Sequence, residues 1–198
     1  MKLINKILKW KGTKLVFLMG KGKDKNADLI FNLINDFIKV KRIKKPLIGF
    51  KKLSVLSNDV LILSNNDFST ERIESFFSLF GEVLVVINSA NLEKEKKIIT
   101  LLDKSGELLI DFESIGKVPG KRIKKRLSYG FQKNADFYIS DLNLSDRVNF
   151  KVNHKGSSIP IWIKDKNGKE TVLFNTLALG VGTMLNLNFV KLAQKISD

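Results

Sequence analysis

Five consecutive apolar residues, Leu15-Val16-Phe17-Leu18-Met19, run directly into Gly20-Lys21-Gly22-Lys23. An apolar run this short, closed by glycine, predicts a strand buried on both faces. Beyond the turn, Ala27, Leu29, Ile30, Leu33, Ile34 and Phe37 recur at helical spacing up to a basic stretch at Lys39–Lys45. A buried strand feeding a helix implies a crossover connection, and hence a sheet with helices packed on its faces.

The rest of the chain repeats that unit and then changes character. Val60–Leu63, Val83–Ile87 and Leu108–Ile110 predict further buried strands, with helical patterns at Thr70–Leu79 and Leu92–Leu102 between them. Asp67-Phe68-Ser69-Thr70 offers an N-cap at Ser69 or Thr70. After about Ile115, Arg126–Phe131 reads as one more strand. Phe137–Leu144, Val148–Asn153 and Ile159–Lys164 follow at hairpin spacing, with turns at Ser145-Asp146, His154–Ser158 and Asp165–Gly168. Helical regions at Phe174–Leu185 and Phe189–Ile196 close the chain. At the other end, Leu3, Ile4, Ile7, Leu8 and Trp10 alternate with Lys2, Lys6 and Lys9. They predict a short helix packed on the domain or lying on a membrane surface. The expected fold is α/β: a mainly parallel sheet flanked by helices, with a small antiparallel meander near the C-terminus. Residues 1–198 read as a single domain with no linker, no repeat and no separate substrate or C-terminal domain.

Composition removes several chemistries. With no cysteine there is neither a disulfide nor a thiolate metal site, and a single histidine, His154, rules out a histidine-rich metal centre. No segment approaches the ~18 consecutive apolar residues of a membrane span. The first 14 residues lack the apolar core and cleavage site of a signal peptide, so the expected location is cytoplasmic. The net charge of +15, from 35 Lys+Arg against 20 Asp+Glu, suits an anionic partner: nucleic acid, an acidic membrane surface or a phosphorylated ligand. Abundant Lys, Asn, Ile and Phe would equally follow from an AT-rich genome, and both explanations stand at this level.

The turn itself has the arrangement that presents backbone amides and a helix dipole to phosphate: strand, glycines, helix. A full phosphate loop reads Gly-x-x-x-x-Gly-Lys-Ser/Thr, with the hydroxyl on magnesium. Here Lys23 follows Gly22, and Asp24 stands where the hydroxyl belongs. A carboxylate there repels phosphates unless a cation bridges the two. A solvated Gly-Lys turn is the competing reading.

The surrounding residues resemble the central domain of the Mur ligases. Ile4–Ile30, containing "KILKWKGTKLVFLMGKGKDKNADLI", is similar to the family's basic helix, strand, Gly-Ser/Thr-Asn-Gly-Lys-Ser/Thr loop and helix. The loop is one residue shorter here and has lost its hydroxyl. Val60–Ser64 resembles the strand carrying the family's magnesium-binding glutamate, whose place falls on Ser64. "VLVVINSANLE" resembles the strand followed by Thr-Asn and His-Leu-acid, with Asn88 matching the asparagine and Asn91 at the histidine. "LDKSGELLIDFES" carries the glycine at Gly106 and polar positions at Asp111 and Glu113. "RLSYGFQKNADFYISDLNL" is similar to the Gly-Phe turn that opens the family's meander. "GKETVLFNTLALGVGTMLNL" resembles its Asn-rich helix, with Asn175 and Ala178 kept.

The resemblance implies a domain that binds ATP and magnesium for an enzyme joining amino acids or peptides to a UDP-linked muramoyl precursor, and hence a link to peptidoglycan and to other cell-wall-synthesis proteins. It assigns ATP contacts to Gly20, Lys21, Gly22, Lys23, Asp24 and Asn88, and a carbamylated lysine to the stretch Lys94–Lys97. No catalytic residue and no metal ligand are assigned in this chain, because the loop hydroxyl, the glutamate and the histidine are all replaced. Phosphoryl transfer depends on positioning and on charge stabilisation by metal and loop. The expectation is therefore a degenerate stand-alone central domain, a pseudoenzyme acting as a binding or assembly module with residual ATP affinity. The alternatives are an ATP-dependent amide ligase subunit completed by partner domains, and a charge-driven nucleic-acid binder.

Other residues point less far. His154 is expected in a solvated hairpin turn, since no carboxylate or nucleophile pattern surrounds it. Lys121, Arg122, Lys124, Lys125 and Arg126 could touch phosphates or form a solvated loop and helix face. Trp10, Trp162, Tyr129 and Tyr138 are scattered and form no stacking platform, which disfavours single-strand binding. Asp111 and Glu113 would share one face of a strand end.

Overall fold

The computed structural model describes residues 12–43, 58–64, 69–88, 92–102, 106–118, 123–145, 147–164 and 168–197. The apolar runs become the middle of one sheet. β1 (Lys14–Gly20) leads into α1 (Lys23–Ile34) and then β2 (Val40–Ile43) and β3 (Val60–Ser64). Next come α2 (Thr70–Phe77), β4 (Glu82–Asn88), α3 (Leu92–Thr100), β5 (Glu107–Asp111) and the single turn α4 (Phe112–Ile115). β6 (Lys125–Gly130), β7 (Phe137–Asn143), β8 (Val148–His154) and β9 (Ser157–Ile163) follow, before α5 (Gly168–Met184) and α6 (Phe189–Ser197).

The nine strands lie in the order β2-β3-β1-β4-β5-β6-β7-β8-β9. Pairing is parallel from β2 through to the short contact of β6 with β7, where Tyr129 meets Phe137 and Gly130 meets Tyr138. The β7–β8 and β8–β9 pairs are antiparallel, giving the expected meander.

Strand period fixes the two layers. On β1, Val16 and Leu18 face one side and join Ala27 and Ile30 of α1, Leu177 of α5 and Leu192 of α6. Leu15, Phe17 and Met19 face the other and join Ile73 and Phe77 of α2 and Ile98 and Ile99 of α3. Phe17 and Phe77 meet edge to face with ring centroids 5.4 Å apart. Because β1 is buried on both faces, its sequence has no alternation to show. α5 is buried over most of its length, which accounts for its apolar sequence. None of the described helices is long and apolar enough to cross a membrane.

Several boundaries depart from the sequence reading. β2 falls inside the basic stretch Lys39–Lys45, where no strand was expected; it is an edge strand four residues long, and Lys41 and Arg42 lie between its buried ends. As expected of one of the two candidates, Ser69 is the cap of α2, accepting a hydrogen bond from the Arg72 amide at 3.4 Å. Glu113 does not continue the strand of Asp111, because α4 turns the chain there and removes the shared face. The N-terminal helix expected around Leu3–Trp10 lies outside the described residues, as do Asn91, Lys121 and Arg122.

Candidate functional site

Parallel strands collect their carboxyl ends on one edge, and in open α/β sheets that edge is where ligands bind. Gly20, Ser64 and Asn88 end β1, β3 and β4 there, with β1 between the other two. Gly20 has φ +89° and Gly22 φ +65°, left-handed values that favour glycine. Gly22 caps α1, and the first intrahelical bond runs from the Asn26 amide to the Gly22 carbonyl at 2.8 Å. The amides of Lys23, Asp24 and Lys25 lie ahead of that bond, and no side chain caps the helix.

Asn88 clamps the turn. Its carbonyl accepts from the Lys21 amide at 2.9 Å, and its Nδ2 donates to the Lys21 carbonyl at 2.9 Å. Its Oδ1 accepts from the Tyr129 hydroxyl at 3.0 Å, which also reaches the Ile87 carbonyl at 3.2 Å. Tyr129 is fully buried; burial first, and the charge of Asp111 second, hold its hydroxyl protonated well above the ordinary range. On another side, a Cβ at Gly22 would stand 2.9 Å from Cζ of Phe174 in α5. Lys25 lies over the same ring, 5.4 Å from its centroid.

The charges of the turn divide unevenly. Lys21 pairs with Glu170 of α5 at 3.1 Å, both side chains largely in solvent. The Lys23 side chain makes no hydrogen bond or ion pair among the described residues. Asp24 is engaged: the Ser64 hydroxyl donates to its Oδ1 at 2.6 Å. Arg42 Nη2 reaches the Asp24 carbonyl at 3.1 Å and Oδ1 at 3.5 Å, and Arg42 Nη1 pairs with Asp28. The Arg42 side chain is only 9% exposed, whereas Asp24 and Asp28 are more than half exposed.

These residues do not fit a magnesium ion. The carboxylate and hydroxyl that could ligate it are bonded to each other, and a guanidinium already balances the carboxylate. Among the described residues, no three His, Asp or Glu side chains gather to hold a metal.

The neighbouring polar groups are arranged differently from the sequence expectation. Asp111 pairs in register with Tyr129, and burial, with Glu113 nearby, raises its carboxyl above the ordinary range. Glu113 instead accepts from Gln132 at 3.1 Å. His154, expected in a solvated turn, is 8% exposed on β8 and stacks on Phe137 at 4.0 Å. Its Nδ1 lies 2.8 Å from the Asp136 carbonyl, which can only accept, so Nδ1 carries the proton. Its role is in packing, because the strand runs one residue further than the turn signal suggested. Of the basic cluster, Lys124 pairs with Glu82 at 3.5 Å and Arg126 donates to the Ile115 carbonyl; Lys125 and Arg126 lie on a strand rather than on a helix face. Lys94–Lys97 lie on α3.

Asn175 donates to the Thr171 carbonyl at 2.9 Å, and Ala178 is buried in the core. Both sit on α5, and Asn175 lines a cavity of about 460 Å³ between α1, α5 and α6. Lys25, Leu29, Thr171, Phe174 and Asn175 line it, and the buried Thr171 hydroxyl has no partner there. Sequence reasoning missed Arg42 and Tyr129. Arg42 was one cation among many in Lys39–Lys45, and only the apolar positions Val40 and Ile43 on either side of it could have marked a strand. Tyr129 sat in an expected strand, but nothing in that strand named its partner on β4.

No protein-family model matches this sequence, and no curated protein matches it. Solved structures do. A MurF ligase from Thermotoga maritima in complex with ADP is 16% identical and superposes with a TM-score of 0.71, over 97% of this chain and 50% of that one. A pseudomurein peptide ligase type C from Methanothermus fervidus is 12% identical with a TM-score of 0.63, over 99% and 51%. The apo form of L. casei FPGS is 7% identical with a TM-score of 0.63, over 99% and 64%. The chain has the Mur-ligase-like fold, and it spans about half the length of the first of these structures. At such identities the likeness establishes the fold alone.

Proposed function

We propose that this chain is a non-catalytic, Mur-ligase-like binding or assembly module that keeps a phosphate-binding turn and has lost the metal chemistry of a ligase. The observation that carries the reading is the closed pair at the turn: the Asp24 carboxylate, in the loop position of the metal-binding hydroxyl, accepts from Ser64 at 2.6 Å. The rest of the turn supports anion binding. Two left-handed glycines, the Asn88 clamp, uncapped α1 amides and an unpaired Lys23 present donors on one edge of the sheet. The adjoining cavity, lined by Phe174 and Asn175, is in the size range of a small-molecule site and suits the base of a nucleotide such as ATP. The first of the similar structures was solved with ADP. Cell-wall precursor synthesis is the context that the fold suggests, with proteins of that process as partners and the cytoplasm as location.

Isothermal titration with ATP and ADP, together with a ligation assay on a UDP-linked muramoyl peptide, tests this. The expected result is nucleotide binding without turnover. Robust ATP-dependent ligation by the purified chain refutes it. A second reading rests on the chain's spanning half of a similar ligase: a ligase central domain completed by domains on other chains. It requires that Lys23→Ala abolish activity in the reconstituted complex.

A further inference from the structure

One arginine at the turn has a place that neither the fold nor the anion-binding reading assigns. Asp24 and Asp28 are four residues apart on α1 and so lie on one helix face. Arg42, from the edge strand β2, spans both: Nη2 goes to Asp24 and Nη1 to Asp28. Its guanidinium is held in a fork of charge-assisted contacts, with its side chain nine-tenths buried and its carboxylate partners largely in solvent. Among the described residues Nε of Arg42 is buried and has no hydrogen-bond partner.

We propose that Arg42 is the resident cation of the turn, and that a phosphate or diphosphate ligand binds there without a divalent metal. The proposal rests on the anion-binding reading above and names the ligand form that this site takes. Three observations converge on it. Ser64 and Asp24, the hydroxyl and carboxylate that could share a magnesium ion, are bonded to each other at 2.6 Å. Magnesium demands near-octahedral oxygen geometry and gives up its water reluctantly, so to enter here it would have to displace both the Ser64 proton and a two-point guanidinium. The groups left free for an anion, Lys23 and the first amides of α1, need no metal to act.

Removing the guanidinium reverses the preference. Because one guanidinium touches both Asp24 and Asp28, its loss leaves two carboxylates and the Ser64 hydroxyl gathered around a small vacant space. That is a hard-cation donor set.

The test uses the whole chain and two independent probes. Mn2+ alone, followed by electron paramagnetic resonance, reports metal binding with no anion present. Titrations with inorganic phosphate, ADP and ATP, each in EDTA and in Mg2+, report anion binding and separate a free-phosphate site from a nucleotide site. For the native chain the expected result is no saturable Mn2+ uptake at Asp24 and anion affinities equal within about threefold with and without metal. Arg42→Gln is expected to gain at least about tenfold in Mn2+ affinity, with the gain lost in Arg42→Gln/Asp24→Asn. Should Arg42→Gln fold poorly, Arg42→Lys keeps the charge without the fork and should stay metal-insensitive. Saturable Mn2+ binding by the native chain that Asp24→Asn abolishes overturns the inference, whatever the anions do. Anion affinity that rises tenfold or more with Mg2+ overturns it too. No anion binding in either buffer overturns the proposal and the anion-binding reading with it, whatever Mn2+ does.

Discussion

Replacing Asn88 tests whether the turn is held by the network described or merely lies beside it. Asn88→Ala removes the Nδ2 bond to the Lys21 carbonyl and the acceptor of the Tyr129 hydroxyl. A net hydrogen bond is worth about 1 kcal/mol, so the two together come to about 2 kcal/mol. The loss does not grow further, because the Tyr129 hydroxyl keeps the Ile87 carbonyl at 3.2 Å and water can reach Lys21. For a chain of 198 residues this corresponds to a fall in Tm of about 4–8 °C. Tyr129→Phe removes one shared bond and should cost about 1 kcal/mol. Since both variants break the same contact, the double variant should cost less than the sum, by about 0.5–1 kcal/mol. Urea denaturation of the four proteins at one pH measures that coupling. Strictly additive costs, or an Asn88→Ala loss below about 0.5 kcal/mol, would refute the clamp. The two variants should also differ in function: Asn88→Ala frees the Lys21 carbonyl and weakens anion binding about tenfold or more, while Tyr129→Phe leaves Nδ2 in place and binding nearly unchanged.

Gly22→Ala forces a left-handed backbone on a residue with a Cβ and drives that atom to 2.9 Å from Phe174 Cζ, for a cost of about 1–2 kcal/mol in thermal or urea melts. Adding Phe174→Leu should return the contact share and leave the backbone share. Glu82 is held below the ordinary carboxylate range by its hydrogen bond with Lys14 at 2.7 Å. Its folded pKa being lower than its unfolded one, the pair stabilises at neutral pH and is lost as pH falls through the folded value. Glu82→Gln should therefore flatten the acid limb of a stability–pH curve, by under about 1 kcal/mol because the pair is screened. Asp111 is shifted the other way, by burial and by Glu113, so the folded state binds its proton more tightly than the unfolded state. Its stability contribution falls as pH rises from the ordinary carboxylate value through the raised one. Asp111→Asn should therefore stabilise at pH 7, with the gain fading in acid on urea titration.

The two-layer α/β frame was legible because the chain's central strands are buried on both faces. Leu15–Met19, Val60–Leu63, Val83–Ile87 and Leu108–Ile110 each present an unbroken apolar run, and all four fall in observed strands. The meander was legible for the opposite reason, its turns being spaced by polar residues. β2 escaped notice because an edge strand four residues long, two of them cationic, has no period to read. The site was legible along the chain but not across it. Gly20–Asp24, Ser64 and Asn88 were each identified as positions, and the sheet order brings them to one edge. What sequence cannot carry is that Ser64 donates to Asp24, that Tyr129 reaches Asn88 from two strands away, or that one lysine- and arginine-rich stretch contributes a buried guanidinium.

The resemblance to Mur ligases implies a hydroxyl in the loop and a carboxylate on the neighbouring strand; this chain has the carboxylate in the loop, at Asp24, and the hydroxyl on the strand, at Ser64. By that resemblance the two groups would stand with their places exchanged, and a carboxylate in the loop alters the field at the turn. A carboxylate about 4 Å from a phosphate oxygen costs about 4 kcal/mol of repulsion at an effective dielectric near 20. Left alone, that would weaken anion binding by roughly three powers of ten. The Arg42 guanidinium, 3.5 Å from the Asp24 carboxylate, supplies a charge of opposite sign at nearly the same place and offsets part of the repulsion, its charge being shared with Asp28. Asp24 without Arg42 would make the turn hostile to phosphate, and Arg42 without Asp24 would be a nearly buried cation with Asp28 as its one carboxylate partner among the described residues. The three residues therefore form one unit, and restoring the hydroxyl by Asp24→Ser alone should not restore magnesium binding: it removes a carboxylate, leaves Ser64 where the glutamate belongs, and frees Arg42 to repel the metal.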